Sequence, residues 1–131
     1  MKTILHEEAE EFQGTILRSI EQHTAPYSVK IRGIEYTLFP ETFNPNYGKA
    51  SLLLLDNLGV KKEDEVLDPF TGSGVDGIFA VLEGAKRAVL IDKFTLPVIC
   101  AKYNSYMLGL EKKIDVASRR SSNFNDAEYA L

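Results

Sequence analysis

Apolar and polar positions change rhythm along this chain, and each rhythm predicts a different element. From about Thr3 to His23, Leu5, Ala9, Phe12, Ile16 and Ile20 recur at spacings of three and four, which places them on one face of a helix. Glu7, Glu8, Glu10 and Glu11 crowd its early turns, where the helix dipole favours acids, and Pro26 closes the element. The period then shortens to two. Val29 and Ile31 alternate with Lys30 and Arg32, and after Gly33 the residues Ile34, Tyr36 and Leu38 alternate with Glu35 and Thr37. Two short, half-buried strands around a glycine turn fit this pattern. Phe39 to Gly48 breaks every regular pattern with Pro, Asn and Gly and reads as a loop.

A second helix is predicted from Lys49 or Ala50 to Leu58, with Gly59 as a left-handed stop. Strand and helix then alternate. Glu65 to Asp68 reads as a strand, Gly74 to Glu83 as a helix stopped by Gly84, and Ala88 to Asp92 as a continuous apolar strand covered on both faces. The next helix runs to about Leu108, with Thr95 as its cap, Pro97 in its first turn and Gly109 as its stop. Ile114 to Ala117 is a third strand, and the tail from Ser118 is polar and aperiodic until Tyr129. The expected fold class is α/β: a Rossmann-like open parallel sheet, partial at about three core strands, with an N-terminal helix and a small β-hairpin. The expected organisation is an N-terminal helix, hairpin and loop over residues 1–47 and a ligand-binding Rossmann-like domain over 48–131.

Composition narrows the function. A length of 131 residues with 44% hydrophobic content is one globular domain by the usual prior. The formal net charge of -4 argues against nucleic-acid binding by bulk positive charge, though not against a local basic groove. The single Cys100 permits no internal disulfide and no cysteine-based zinc site; within a helical pattern it reads as a small core residue, and a reducing cytoplasm is the default compartment. His6 and His23 lie far apart without clustered partners, so no metal site is expected. No apolar run approaches the roughly 18 to 20 residues of a membrane span, so no membrane partner is expected either. Lys112, Lys113, Arg119 and Arg120 read as solvated faces, with phosphate contact as the alternative.

The candidate chemistry sits at Gly72-Ser73-Gly74-Val75-Asp76-Gly77, a G-x-G-x-x-G string. A strand enters it, a helix leaves it, and Asp92 follows Gly72 by 20 residues at the end of the next strand, where an acid can accept both hydroxyl protons of a ribose. Asp68 ends the strand just before the turn. A carboxylate there repels a pyrophosphate but attracts an ammonium group. That favours S-adenosylmethionine, cationic and free of phosphate, over a nicotinamide or flavin cofactor.

Asp68-Pro69-Phe70-Thr71-Gly72-Ser73-Gly74 resembles the D-P-F-x-G-S-G form of motif I in class I S-adenosylmethionine-dependent methyltransferases, a form typical of enzymes that methylate exocyclic amino groups of DNA or RNA bases. Ala88 to Asp92 resembles that family's second strand and acid, Leu96 to Asn104 its next helix, and Asn46-Tyr47-Gly48-Lys49-Ala50 a segment that borders the cofactor. The resemblance covers roughly residues 43–116 and implies a cofactor set of Asp68, Phe70, Thr71, Gly72, Gly74, Asp92, Lys93 and Phe94. Within it, Asp68 would hold the methionine amine, Gly72 and Gly74 would shape the pocket, and Asp92 would bind the ribose. Lys93 or Phe94 would lie near the adenine, and Phe70 would either wall the pocket or join the core. Two departures stand out. Val75-Asp76 replaces a frequent Thr-Thr, and the family's third, adenine-contacting acid has only Asn123 and Asp126 as candidates.

The family's acceptor motif, N/D-P-P-Y/F, has no match after Val116, so the catalytic residues are not identified. Asn44-Pro45-Asn46-Tyr47 is a partial substitute that reads better as a loop lining the cofactor mouth. The expectation is therefore the cofactor half of a methyltransferase: a truncated piece, a split enzyme, or a chain whose sheet is completed in an oligomer. The resemblance implies a nucleic-acid base as acceptor. The alternatives are a protein or small-molecule methyltransferase, or a cofactor-binding module without catalysis.

Overall fold

The structure, a computed structural model, describes residues 23–119. The helix expected over residues 3–23 lies outside the described residues but for His23, and so does the polar tail beyond Arg119, with Asn123 and Asp126; Ser118, expected to open that tail, ends the last strand.

Strands β1 (Tyr27–Ile31) and β2 (Ile34–Leu38) pair antiparallel, with Ile31 opposite Ile34. The two residues between them, Arg32 (φ 50°) and Gly33 (φ 81°), both adopt left-handed backbone, the requirement of a tight hairpin turn that matches strand twist. Arg32 also grips Asp56 through Nε and Nη2, both at 2.8 Å, which ties the hairpin turn to the end of the following helix.

The segment expected as pure loop contains a short 3-10 helix, Pro45–Tyr47. The residues that break strand and longer helix patterns are the ones that start such a turn. Asn44 caps it by accepting from the Asn46 amide at 3.0 Å, and Pro45 needs no amide partner at the first position. Helix α1 (Lys49–Asp56) follows and ends two residues before the predicted Leu58.

Strands β3 (Glu65–Asp68), β4 (Arg87–Asp92) and β5 (Ile114–Ser118) form a parallel sheet in the order β3-β4-β5. They are connected by α2 (Val75–Leu82) and α3 (Thr95–Met107). The central β4 has buried residues from Leu90 to Asp92, as its unbroken apolar run required. Thr95 is not the cap of α3 but its first helical residue. Phe94 occupies the cap position without a side-chain bond, and its amide donates instead to Asp92 Oδ1 at 3.0 Å.

One buried cluster joins the layers. It holds Ile31 and Tyr36 from the hairpin, Leu55 from α1, Val75, Ile78 and Val81 from α2, Ala88 and Leu90 from β4, and Val98 and Ala101 from α3. Cys100 is fully buried on α3, as its sequence context suggested. The hairpin is held by more than apolar contact. Asn104, 2% exposed on α3, accepts from the Thr37 amide at 2.8 Å and donates to the Thr37 carbonyl at 2.8 Å. Its amide nitrogen also reaches the Ser73 carbonyl at 2.9 Å. One side chain thus pairs with the backbone of β2 as a neighbouring strand would, and clamps it to the glycine turn. No helix among the described residues is long and apolar enough to cross a membrane.

Candidate cofactor site

The turn after β3 is built by backbone bonds across the C-terminal edge of the sheet. The Thr71 amide donates to the Ile91 carbonyl at 2.9 Å, so the chain crosses from β3 over β4. The Gly74 amide closes the turn on the Thr71 carbonyl at 2.9 Å, and the Ile78 amide opens α2 on the Gly74 carbonyl at 2.9 Å.

The three glycines have separate jobs. Gly72 has φ 55° and open space where a Cβ would stand, so it leaves the backbone bare on the cavity side. Gly74, φ 90°, faces inward: a Cβ there would lie 3.1 Å from Cα and Cβ of Ala101 on α3. Its service is turn geometry and helix approach, and it does not line the cavity. Gly77 allows α2 onto β4, because a Cβ would meet Leu90 Cδ1 at 2.4 Å.

Asp92 is 9% exposed at the tip of β4. Its Oδ2 accepts from the Gly72 amide at 2.9 Å while Oδ1 holds the Phe94 amide. The carboxylate therefore locks the glycine turn to the start of α3, and each oxygen keeps lone-pair capacity for a further donor.

Above these elements lies a cavity of about 500 Å³. Of the sequence-predicted residues, Phe70, Thr71, Gly72, Asp92, Lys93 and Phe94 line it. Phe70 is 79% exposed, which excludes the core alternative and leaves its ring at the mouth. Phe94 is exposed too, with Lys93 Nζ 5.5 Å from its ring centre, within cation–π range. Thr71 lines it through the rest of the residue, since its hydroxyl oxygen is buried and acts on Asp68 without a bond of good geometry.

Asp68, expected to meet a ligand amine, does not stand among the residues that line the cavity. It sits beneath the turn, where burial raises its pKa against the pull of the Thr71 hydroxyl and the Phe70 and Gly77 amides. No bond of good geometry reaches Oδ2. Of the two acids flanking the turn, the one that lines the cavity is Asp76, in the first turn of α2, its pKa raised to about 6 by burial and then by the charge of Asp68.

Sequence reasoning anticipated a loop at the cavity mouth, which Pro45 provides, but missed Glu41, Phe43 and Ser51. Glu41, Phe43 and Pro45 face the cavity from the loop after β2, and Ser51 does so from α1. Asn44, in the partial acceptor motif, spends its side chain capping the 3-10 helix. Glu41 and Phe94, with Thr95, Leu96 and Pro97, also border an adjoining lobe of about 390 Å³. No metal-binding cluster of His, Cys, Asp or Glu is found among the described residues.

The residues fit a phosphate-free, cationic nucleoside ligand. The cavity wall offers three carboxylates, Glu41, Asp76 and Asp92, against one lysine. It also offers a bare glycine backbone, and the excess of carboxylates favours ammonium and hydroxyl groups over a pyrophosphate.

The comparisons agree with this geometry. The family model for ribosomal protein L11 methyltransferase (PrmA) matches residues 47–129. A protein of Methanocaldococcus jannaschii, provisionally named a protein N5-glutamine methyltransferase, is 36% identical over 77 residues, 59% of this chain and 38% of that relative. The match thus spans well under half of the relative. Among solved structures, the 16S rRNA N2 G1207 methyltransferase of T. thermophilus, in complex with AdoMet and guanosine, is 27% identical with a TM-score of 0.53, covering 81% of this chain and 29% of that one. The tRNA (uracil-54, C5)-methyltransferase of Pyrococcus abyssi, in complex with S-adenosyl-L-homocysteine, has a TM-score of 0.59 at 19% identity over 77% of this chain and 26% of that one; its likeness is one of fold alone.

Proposed function

The chain belongs to the PrmA family of methyltransferases, and from that premise we propose that it binds S-adenosylmethionine and serves methyl transfer to a nitrogen acceptor. The observation that carries this reading is the meeting of Gly72, Asp92 and the cavity at the C-terminal ends of β3 and β4, the place where open α/β sheets take nucleotide-type ligands.

In this reading Asp92 receives the ribose hydroxyls on the lone pairs its two backbone bonds leave free. Phe94 and Pro97 give the adenine an apolar surface, with the Lys93 ammonium beside it. The bare backbone at Gly72 faces the amino-acid end. Bound S-adenosylmethionine supplies an electrophilic methyl group, so the protein's own contribution is orientation and exclusion of water. The loop carrying Glu41, Phe43 and Pro45 closes one side of the cavity and serves that exclusion.

For the acceptor, the D-P-F-x-G-S-G form of the turn supports an exocyclic amino group of a nucleic-acid base, with nucleic acid as partner in the cytoplasm. A second reading is an amide or amino nitrogen of a protein, favoured by the names of the family model and of the archaeal relative. Isothermal titration with S-adenosylhomocysteine tests the cofactor half. Saturable 1:1 binding that Asp92→Ala weakens by about 100-fold or more supports it, since two hydrogen bonds to a charged group are lost. Transfer of a tritiated methyl group to RNA but not to ribosomal protein favours the base reading, and the reverse favours the protein one.

A further inference from the structure

The side of the cavity nearest the glycine turn carries charge and hydrogen-bonding capacity that the fold does not use. Asp76 lines the cavity from α2, and the two influences on it, burial and the Asp68 charge, both disfavour its ionised form. Its charge also reaches the buried Tyr36 hydroxyl, which has no hydrogen-bond partner. Across the turn, the Thr71 hydroxyl is buried and pulls on Asp68, so it is taken up within the fold and not offered to the cavity. Asp68 lies beneath, among the amides of the turn, away from the cavity surface.

A half-buried carboxylate in a cavity wall beside a second acid is disfavoured unless a ligand brings a positive donor to it. We propose that Asp76 receives the α-ammonium group of the cofactor's amino-acid end, and that Asp68 instead braces the turn. The assignment rests on the S-adenosylmethionine reading above. It gives a role to the position at which this chain departs from the Thr-Thr of the motif it resembles. An ammonium beside Asp76 offsets the repulsion from Asp68 and supplies a donor to a carboxylate that has shed part of its hydration, so the contact is charge-assisted.

The test compares two ligands that share adenosine and a thioether. S-adenosylhomocysteine carries the amino-acid end, and 5′-methylthioadenosine lacks it. Asp76→Asn is expected to weaken S-adenosylhomocysteine by about 10- to 100-fold and to leave methylthioadenosine within about twofold. Asp76→Ala should repeat the pattern, and melting curves of both variants establish that they fold. Equal weakening of both ligands, or of neither, overturns the assignment while leaving the cofactor site intact. So does a wild-type chain that binds the two ligands equally well. A wild-type chain that binds neither ligand removes the cofactor reading and this assignment with it.

Discussion

Replacing Asn104 with Ala should unlock the hairpin from the glycine turn. The side chain is 2% exposed and makes three bonds of 2.8 to 2.9 Å to backbone groups of Thr37 and Ser73. Truncation leaves the Thr37 amide and the Ser73 carbonyl without this partner, while the Thr37 carbonyl keeps a 3.3 Å contact from Cys100 Sγ. Each buried backbone group so stranded costs about 1–3 kcal/mol. Partial relaxation of the hairpin reduces the sum, so the expected loss is about 2–4 kcal/mol. Against a typical total stability of roughly 5–15 kcal/mol this is large. For a domain of this size it corresponds to a fall in melting temperature of about 8–16 °C. Asn104→Asp is a sharper probe. It keeps the shape but turns an oxygen toward the carbonyls of Thr37 and Ser73, so it should destabilise at least as much at neutral pH. Thermal melts followed by circular dichroism provide the measurement. Because the clamp reaches Ser73, beside Gly72, affinity for S-adenosylhomocysteine should also drop in the fraction that stays folded. An Asn104→Ala variant melting within about 2 °C of wild type would refute the reasoning, since the bonds would then carry no net stability.

Gly77→Ala should destabilise by about 1–3 kcal/mol despite its better helix propensity, because the added methyl meets the buried Leu90 side chain at 2.4 Å; pairing it with Leu90→Ala should recover part of the melting temperature if that contact is the cause. The raised pKa of Asp76, about 6, predicts a pH dependence of stability whose sign is fixed. The folded state binds this proton more tightly than the unfolded one. The stabilisation is therefore complete below the ordinary carboxylate range and is lost as pH rises through about 6. Asp68, also raised by burial, acts in the same direction. Denaturant midpoints measured from pH 4.5 to 7.5 check this, and Asp76→Asn should flatten the slope and raise stability at the upper end.

Much of the fold was legible because burial imposes short, repeated patterns. The unbroken Ala88 to Asp92 run could only be a strand covered on both faces, and the alternation around Gly33 fixed the hairpin. Asp92 was legible as an acid at a strand tip 20 residues after Gly72, and the structure places it in the cavity wall. What escaped was direction elsewhere. Asp68 and Asp76 flank the same turn, and nothing in their spacing says which faces the cavity; that depends on how α2 leaves the turn over β4. Phe70 had the same ambiguity, resolved only by its exposure.

Asn104 carried a faint signal as the one amide side chain of α3, but its partner in β2 is 67 residues away. Glu41 carried no signal at all. Its φ of 64° belongs to a turn in which the Thr42 amide bonds the Phe39 carbonyl at 3.1 Å, a position where glycine is the usual choice. A non-glycine residue held there, lining the cavity, is a feature only coordinates reveal.

The most direct measurement of the central claim is a two-dimensional amide NMR titration of the isotopically labelled chain with S-adenosylhomocysteine. Saturable shifts concentrated at the amides of Gly72, Ser73 and Phe94 are the predicted result. Resonances that stay put there, or that move with a nicotinamide dinucleotide and not with S-adenosylhomocysteine, would contradict it.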